Sequence, residues 1–83
     1  MVGLTARQAQ VLEAIIGHIE DHHAPPTLSW LCEAVGIRST NGMSDHVRAL
    51  ERKGYIARTY GTWGMKVLRF PDGAPLKITI TRA

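Results

Sequence analysis

The chain has one cysteine in 83 residues, Cys32. A single thiol excludes an intramolecular disulfide and fits a reducing compartment. No apolar run approaches the ~18 residues that a membrane-spanning helix needs, so no membrane partner is expected. The amino terminus has no basic segment followed by an apolar core, the pattern of a secretory signal. Internal repeats and low-complexity segments are also missing. These absences make the cytoplasm the expected location. The chain length suits one domain with a modest core, and 45% hydrophobic residues is ordinary for a globular chain.

An even spread of charge is lacking too. Residues 1–36 hold one base, Arg7, and four acids, a net of −3; residues 37–83 hold nine bases and three acids, a net of +6. The overall +3 therefore hides a polarised chain. A basic half is an electrostatic footprint for a polyanion. Ordinary scatter on a solvated surface is the competing reading, and it is weaker where the basic half coincides with a motif.

That motif is residues 37–55, IRSTNGMSDHVRALERKGY. Ser39 can cap a helix through its side-chain oxygen. Met43, Val47 and Leu50 recur at spacings of four and three, which marks one apolar helical face. Gly54 can take the left-handed conformation that ends a helix. The other face carries Asn41, Ser44, Asp45, Arg48 and Arg52, side chains able to reach base edges and phosphates. A helix is expected over residues 40–53. The N-terminus beginning at Ser39 and Thr40 is suited to holding a phosphate.

Two helices precede it. Thr5-Ala6-Arg7-Gln8 matches a capping box, and Val11, Leu12, Ile15, Ile16 and Ile19 form a stripe. The first helix is expected over residues 5–21, stopped by Ala24-Pro25-Pro26. Thr27 caps a second, over residues 27–35, with Gly36 behind it. At about 100° per residue, Leu28, Leu31, Cys32 and Val35 share a face, and Trp30 lies off it. After Gly54 the period becomes strand-like. Residues 55–59 and 65–70 read as two strands, joined by a glycine-punctuated loop, Tyr60-Gly61-Thr62-Trp63-Gly64. Pro71-Asp72-Gly73 is a turn signal, and residues 76–81 alternate as a strand with one buried face should.

Three helices and a hairpin make an α+β winged helix-turn-helix, with the hairpin as the wing. The domain is expected over residues 1–70, and residues 71–83 as an extension carrying an extra strand on the same domain. Arg58 and Lys66 on the wing arms are placed to meet phosphates beside the groove that the third helix enters. With Arg38, Arg48, Arg52, Lys53 and Arg69 they flank one surface. Each phosphate neutralised would add roughly 0.9 to the salt slope of binding.

Several residues invite other readings. Ser44-Asp45-His46 has the residue types of a hydrolytic triad, but adjacent helical side chains diverge and cannot assemble one. No enzyme activity is expected. His18 and His22, four apart on a helix, could share a metal, but no second pair of ligands is evident. Neither a metal nor any cofactor is expected. Cys32 reads as a small buried side chain. Trp63, with Thr62 at the wing tip, either packs on the DNA backbone or minor groove or folds back over the wing base. Trp30 needs cover: from Leu76, Ile78 and Ile80 of the tail strand, which is the preferred reading, or from a partner surface that includes a second copy.

Taken in order, Leu4-Thr5-Ala6-Arg7-Gln8, Pro25-Pro26-Thr27, Ile37-Arg38-Ser39 with Asn41, His46-Val47-Arg48-Ala49-Leu50 and Lys53-Gly54-Tyr55-Ile56 resemble the DNA-binding domain of LexA-type repressors. The resemblance covers residues 3–69 at nearly constant spacing. It implies a winged helix-turn-helix that binds operator DNA, with Ser39, Asn41, Gly42, Ser44 and Asp45 facing bases. Ser44 and Asp45 stand where the family usually has two acidic residues, which implies a different operator, since serine is a poor substitute for a carboxylate accepting from cytosine. Gly42 stands where alanine is usual. The family's peptidase domain is missing from these residues, so a complete chain of this length could not be switched by self-cleavage.

The expected function is sequence-specific binding of double-stranded DNA by a small repressor-like regulator, of bacterial or phage type and associated with the nucleoid when bound. Asn41 is the first choice for direct readout, because its amide can pair with adenine N6 and N7; Ser44 and Asp45 would add discrimination, and Arg48 is expected to contact a base or a phosphate. The alternative is a protein-interaction module on a winged-helix scaffold, such as a mobile-element protein that binds a host factor. A homodimer stays open, with edge pairing of residues 76–81 as one route.

Overall fold

The computed structural model describes residues 3–59 and 64–73. Three helices and one hairpin follow one another: α1 Ala6–His22, α2 Leu28–Val35, α3 Thr40–Arg52, β1 Ile56–Thr59 and β2 Gly64–Val67. This is the α+β winged helix-turn-helix order.

Each helix starts on a hydroxyl. Gln8 N–H donates to Thr5 Oγ1 at 3.1 Å, and Thr5 N–H donates back to Gln8 Oε1 at 3.1 Å, completing the capping box. Thr27 Oγ1 accepts from Trp30 N–H at 3.1 Å, and Ser39 Oγ from Gly42 N–H at 3.2 Å.

One stop differs from expectation in its mechanism. α1 ends before the prolines, at His23, which takes the left-handed conformation with φ 56° while its N–H donates to Ile19 O at 2.8 Å. Histidine is among the residues that enter this region more readily than most, and the turn is complete before Pro25 can force it. α2 closes at Gly36, φ 85°, as Ile37 N–H reaches back to Cys32 O at 3.0 Å. α3 closes in the same way. Gly54 has φ 88°, Gly54 N–H donates to Glu51 O at 3.1 Å, and Tyr55 N–H donates to Leu50 O at 2.9 Å. This paired pattern at a left-handed glycine reverses the chain, and it delivers Tyr55, only 3% exposed, into the core at the start of β1.

β1 and β2 pair antiparallel with Ile56 opposite Val67 and Thr59 opposite Gly64. The second strand is shorter than the expected 65–70. Beyond Val67, Leu68 and Arg69 both donate to Tyr55 O, at 2.8 and 3.4 Å. Two residues against one is a bulge, which breaks the ladder. The chain then turns, with Gly73 N–H donating to Phe70 O at 2.8 Å and Gly73 at φ 91°. The expected strand over residues 76–81 and the wing tip at Thr62 and Trp63 lie outside the described residues.

The core is one cluster. α1 gives Val11, Leu12, Ile15 and Ile19; α2 gives Leu31 and Cys32; α3 gives Met43, Val47 and Leu50; the hairpin closes it with Tyr55, Ile56, Met65 and Val67. Every helix packs on the other two, and α3 also packs on β1. α3 is therefore held on its inner side by three elements, which leaves one long face outward.

Candidate nucleic-acid interface

α3 has two chemically distinct sides. Met43, Val47 and Leu50 are fully buried. Asn41, Asp45, Arg48 and Arg52, at spacings of four, three and four, are all exposed. That spacing aligns them in a single stripe along the helix. Ser44, His46 and Gly42 are half-buried at its margins. A Cβ on Gly42 would sit 3.9 Å from Ile37 Cγ2 and from Ser39 Cβ, ordinary contact distances, so the fold does not require glycine there.

Arg48 Nη2 donates to Asp45 Oδ1 at 2.7 Å, with the arginine and aspartate side chains 61% and 71% exposed. So exposed a pair contributes little to stability. At the head of the helix Ser39 and Thr40 are exposed. Ser39 Oγ accepts from Gly42 and still has a proton to donate, beside the positive end of the helix dipole. Arg38 is exposed at the rim of an open cleft of about 550 Å³, lined also by Ser29, Cys32, Glu33, Gly36, Ile37 and Thr40. At its floor Cys32 is buried, with Sγ 3.6 Å from Ser39 O. On the hairpin, Lys66 is exposed opposite Ala57. Arg58 lies opposite Met65 in β1, and its side chain is outside the described part of the structure.

Two basic residues of the expected surface have internal partners. Lys53 is half-buried, and its Nζ donates to Gln8 Oε1 at 2.6 Å and to Gly3 O at 3.0 Å. The ammonium thus ties the end of α3 to the cap of α1. Arg69 Nη1 donates to Gly73 O at 3.0 Å, bracing the turn after the bulge. Arg7, which sequence reasoning passed over, donates from Nη1 to Val35 O at 3.2 Å. A cation at the last carbonyls of α2 complements the helix dipole. A partner 28 residues away leaves no mark in the sequence.

Trp30 is 37% exposed, and its nearest ring neighbour is His18, edge-on at 4.5 Å and 72°. His18 also lies 4.4 Å from the ring of His22, and its Nδ1 is 2.8 Å from Ala24 O. Part of the cover for Trp30 therefore comes from α1, a source absent from the expectation. Cover by Ile78 and Ile80 falls outside the described residues. Among the described residues no group of three or more His, Cys, Asp or Glu gathers to hold a metal, and no helix is long and apolar enough to cross a membrane.

A buried-backed helix with an outward polar stripe, entered through a short turn from α2 and followed by a hairpin, defines a winged helix-turn-helix domain. The comparisons are more specific. The LexA DNA-binding domain family matches residues 1–62, and the chain belongs to that family. It is 59% identical over 58 residues to the LexA repressor of Anaeromyxobacter dehalogenans, covering 70% of this chain and 25% of that protein. The LexA repressor of Sorangium cellulosum is 57% identical over the same length, with the same coverage. That of Desulfatibacillum aliphaticivorans is 40% identical over 81 residues, covering 96% of this chain and 40% of that protein. The chain thus spans between a quarter and two fifths of the length of these repressors.

Proposed function

We propose that this chain binds double-stranded DNA sequence-specifically, as a repressor-like transcriptional regulator. The observation that carries the reading is the Asn41–Asp45–Arg48–Arg52 stripe, exposed along a helix whose opposite face is fully buried. Membership in the LexA DNA-binding domain family supports it. In this reading α3 enters the major groove. Asn41 pairs with adenine, and Gly42 and Ser44 border the bases. Ser39, Thr40 and the helix N-terminus hold a phosphate. Arg38, Arg52, Arg58 and Lys66 neutralise flanking phosphates, and Thr62 and Trp63 meet the backbone at the wing tip. Lys53 drops out of the phosphate set, because its ammonium is engaged within the fold.

A single module covers only about 600–1,000 Å² of protein surface, too little for tight specific binding. Two copies on a two-fold site are the usual remedy, and dimeric binding is part of the proposal. So is a cytoplasmic location. The test is binding to a selected operator and to random duplex. Asn41→Ala should cost about 1–3 kcal/mol on the operator and little on random DNA, whereas Lys66→Ala should weaken both alike. Equal losses on both duplexes for Asn41→Ala would remove it from the reading set.

A second reading, a docking surface for a protein partner, draws on the exposure of Trp30. Trp30→Ala should leave DNA affinity unchanged under the first reading. Loss of self-association in sedimentation, with stability intact, would place Trp30 at a contact between copies and exclude internal cover from the tail.

A further inference from the structure

Asp45 is an anion in the middle of a surface proposed to meet phosphates, and 71% of its side chain is exposed there. Phosphates repel it. A carboxylate in such a place either accepts directly from cytosine N4 or orients a cation that reads a base. The contact made by Asp45 separates the two. Its Oδ1 takes one proton of Arg48 Nη2 at 2.7 Å. One bond is not a fork, so the guanidinium keeps its other donors. A guanidinium presents five N–H groups in a rigid plane, and guanine N7 and O6 accept two of them side by side. Reach points the same way. Aspartate carries its carboxylate on one methylene and arginine its guanidinium on three. From one stripe of one helix, the guanidinium of Arg48 extends farther and meets a base edge first.

The geometry points to Arg48 as a base-reading residue that takes a guanine in the major groove, and to Asp45 as the positioning residue that aims it. This rests on the DNA-binding reading above and deepens it. The pair is neutral as a unit, so it supplies specificity, while attraction to the backbone falls to Arg38, Arg52, Arg58 and Lys66. Removing Asp45 then has two opposite consequences. The guanine contact loosens because Arg48 loses its anchor. Binding to DNA of any sequence strengthens, because an anion facing phosphates is gone.

The experiment begins with an operator selected by the unaltered chain from a random duplex pool. Each guanine is then replaced in turn by 7-deazaguanine, which lacks only the N7 acceptor. One replacement per half-site should cost the unaltered chain roughly 5- to 150-fold in affinity. In Arg48→Ala that penalty should vanish, and in Arg48→Lys, which keeps the charge and a donor but loses the fork, it should shrink. In Asp45→Ala it should shrink while affinity for random duplex rises. Both side chains are well exposed, so the variants should fold, which a thermal melt checks.

An N7 penalty unchanged in Asp45→Ala would overturn the positioning role. Arg48→Ala weakening operator and random duplex alike would make Arg48 a phosphate contact and overturn the proposal. So would independent, additive losses for the two substitutions, with the Asp45 loss tracking a cytosine. Failure of the unaltered chain to select any operator would overturn the DNA-reading itself, a result seen before any variant is made.

Discussion

Lys53 shows how a residue's role turns on a partner far away in the chain. By composition it is one more base on a basic surface. In the structure its ammonium bonds Gln8, 45 residues earlier, and Gly3. Lys53→Ala should therefore lower stability by about 0.5–1.5 kcal/mol in urea unfolding. It should also leave the salt slope of DNA binding in place, while Arg52→Ala reduces that slope by roughly 0.9. A reduced slope for Lys53→Ala would return it to the phosphate set. The stripe of Asn41, Asp45, Arg48 and Arg52 was legible because helical period alone sorts these residues from Met43, Val47 and Leu50. The ion pair within it was not read, although a spacing of three allows one. Gly17 is simpler. It lies inside α1, and a Cβ there meets nothing within 4 Å. Gly17→Ala should raise stability by about 1 kcal/mol.

At the scale of elements, the beginnings were readable and the endings only partly. Thr5, Thr27 and Ser39 each cap as their residue type dictates, because a cap is a contact over three residues. Gly36 and Gly54 close their helices as expected, since positive φ is a glycine's ordinary use. α1 ends within one residue of the expected Asp21, but the device that ends it was not read, because histidine, not glycine, takes the left-handed turn and the prolines behind it look like a sufficient stop. The end of β2 escaped because alternation continues through Leu68 and Phe70, whereas the bulge that breaks the ladder depends on a hydrogen-bond pattern across strands. Gly54 governs both the end of α3 and the direction of β1. Gly54→Ala should cost about 1–2 kcal/mol of stability, the penalty of a Cβ in left-handed backbone, measurable as a lowered midpoint in thermal melts. An unchanged midpoint would mean that the α3–β1 junction tolerates another path.

At the scale of the molecule, charge is polarised along the chain. Residues 1–36, with α1 and α2, carry a net −3; residues 37–83 carry a net +6, and of their bases Arg38, Arg48, Arg52 and Lys66 are exposed on the turn before α3, on α3 and on the hairpin. Trp30, an exposed aromatic, rests on His18 of α1. Two readings of the whole protein therefore predict two different places of contact. An amide-resolved NMR titration with a short mixed-sequence duplex, at low and then moderate salt, separates them. If α3 and the hairpin form the DNA interface, shifts should concentrate on residues 39–52 and around Lys66, and should fade as salt rises. An unperturbed spectrum at low salt, or shifts centred on His18 and Trp30, would contradict that account, because phosphate attraction alone should mark the basic face.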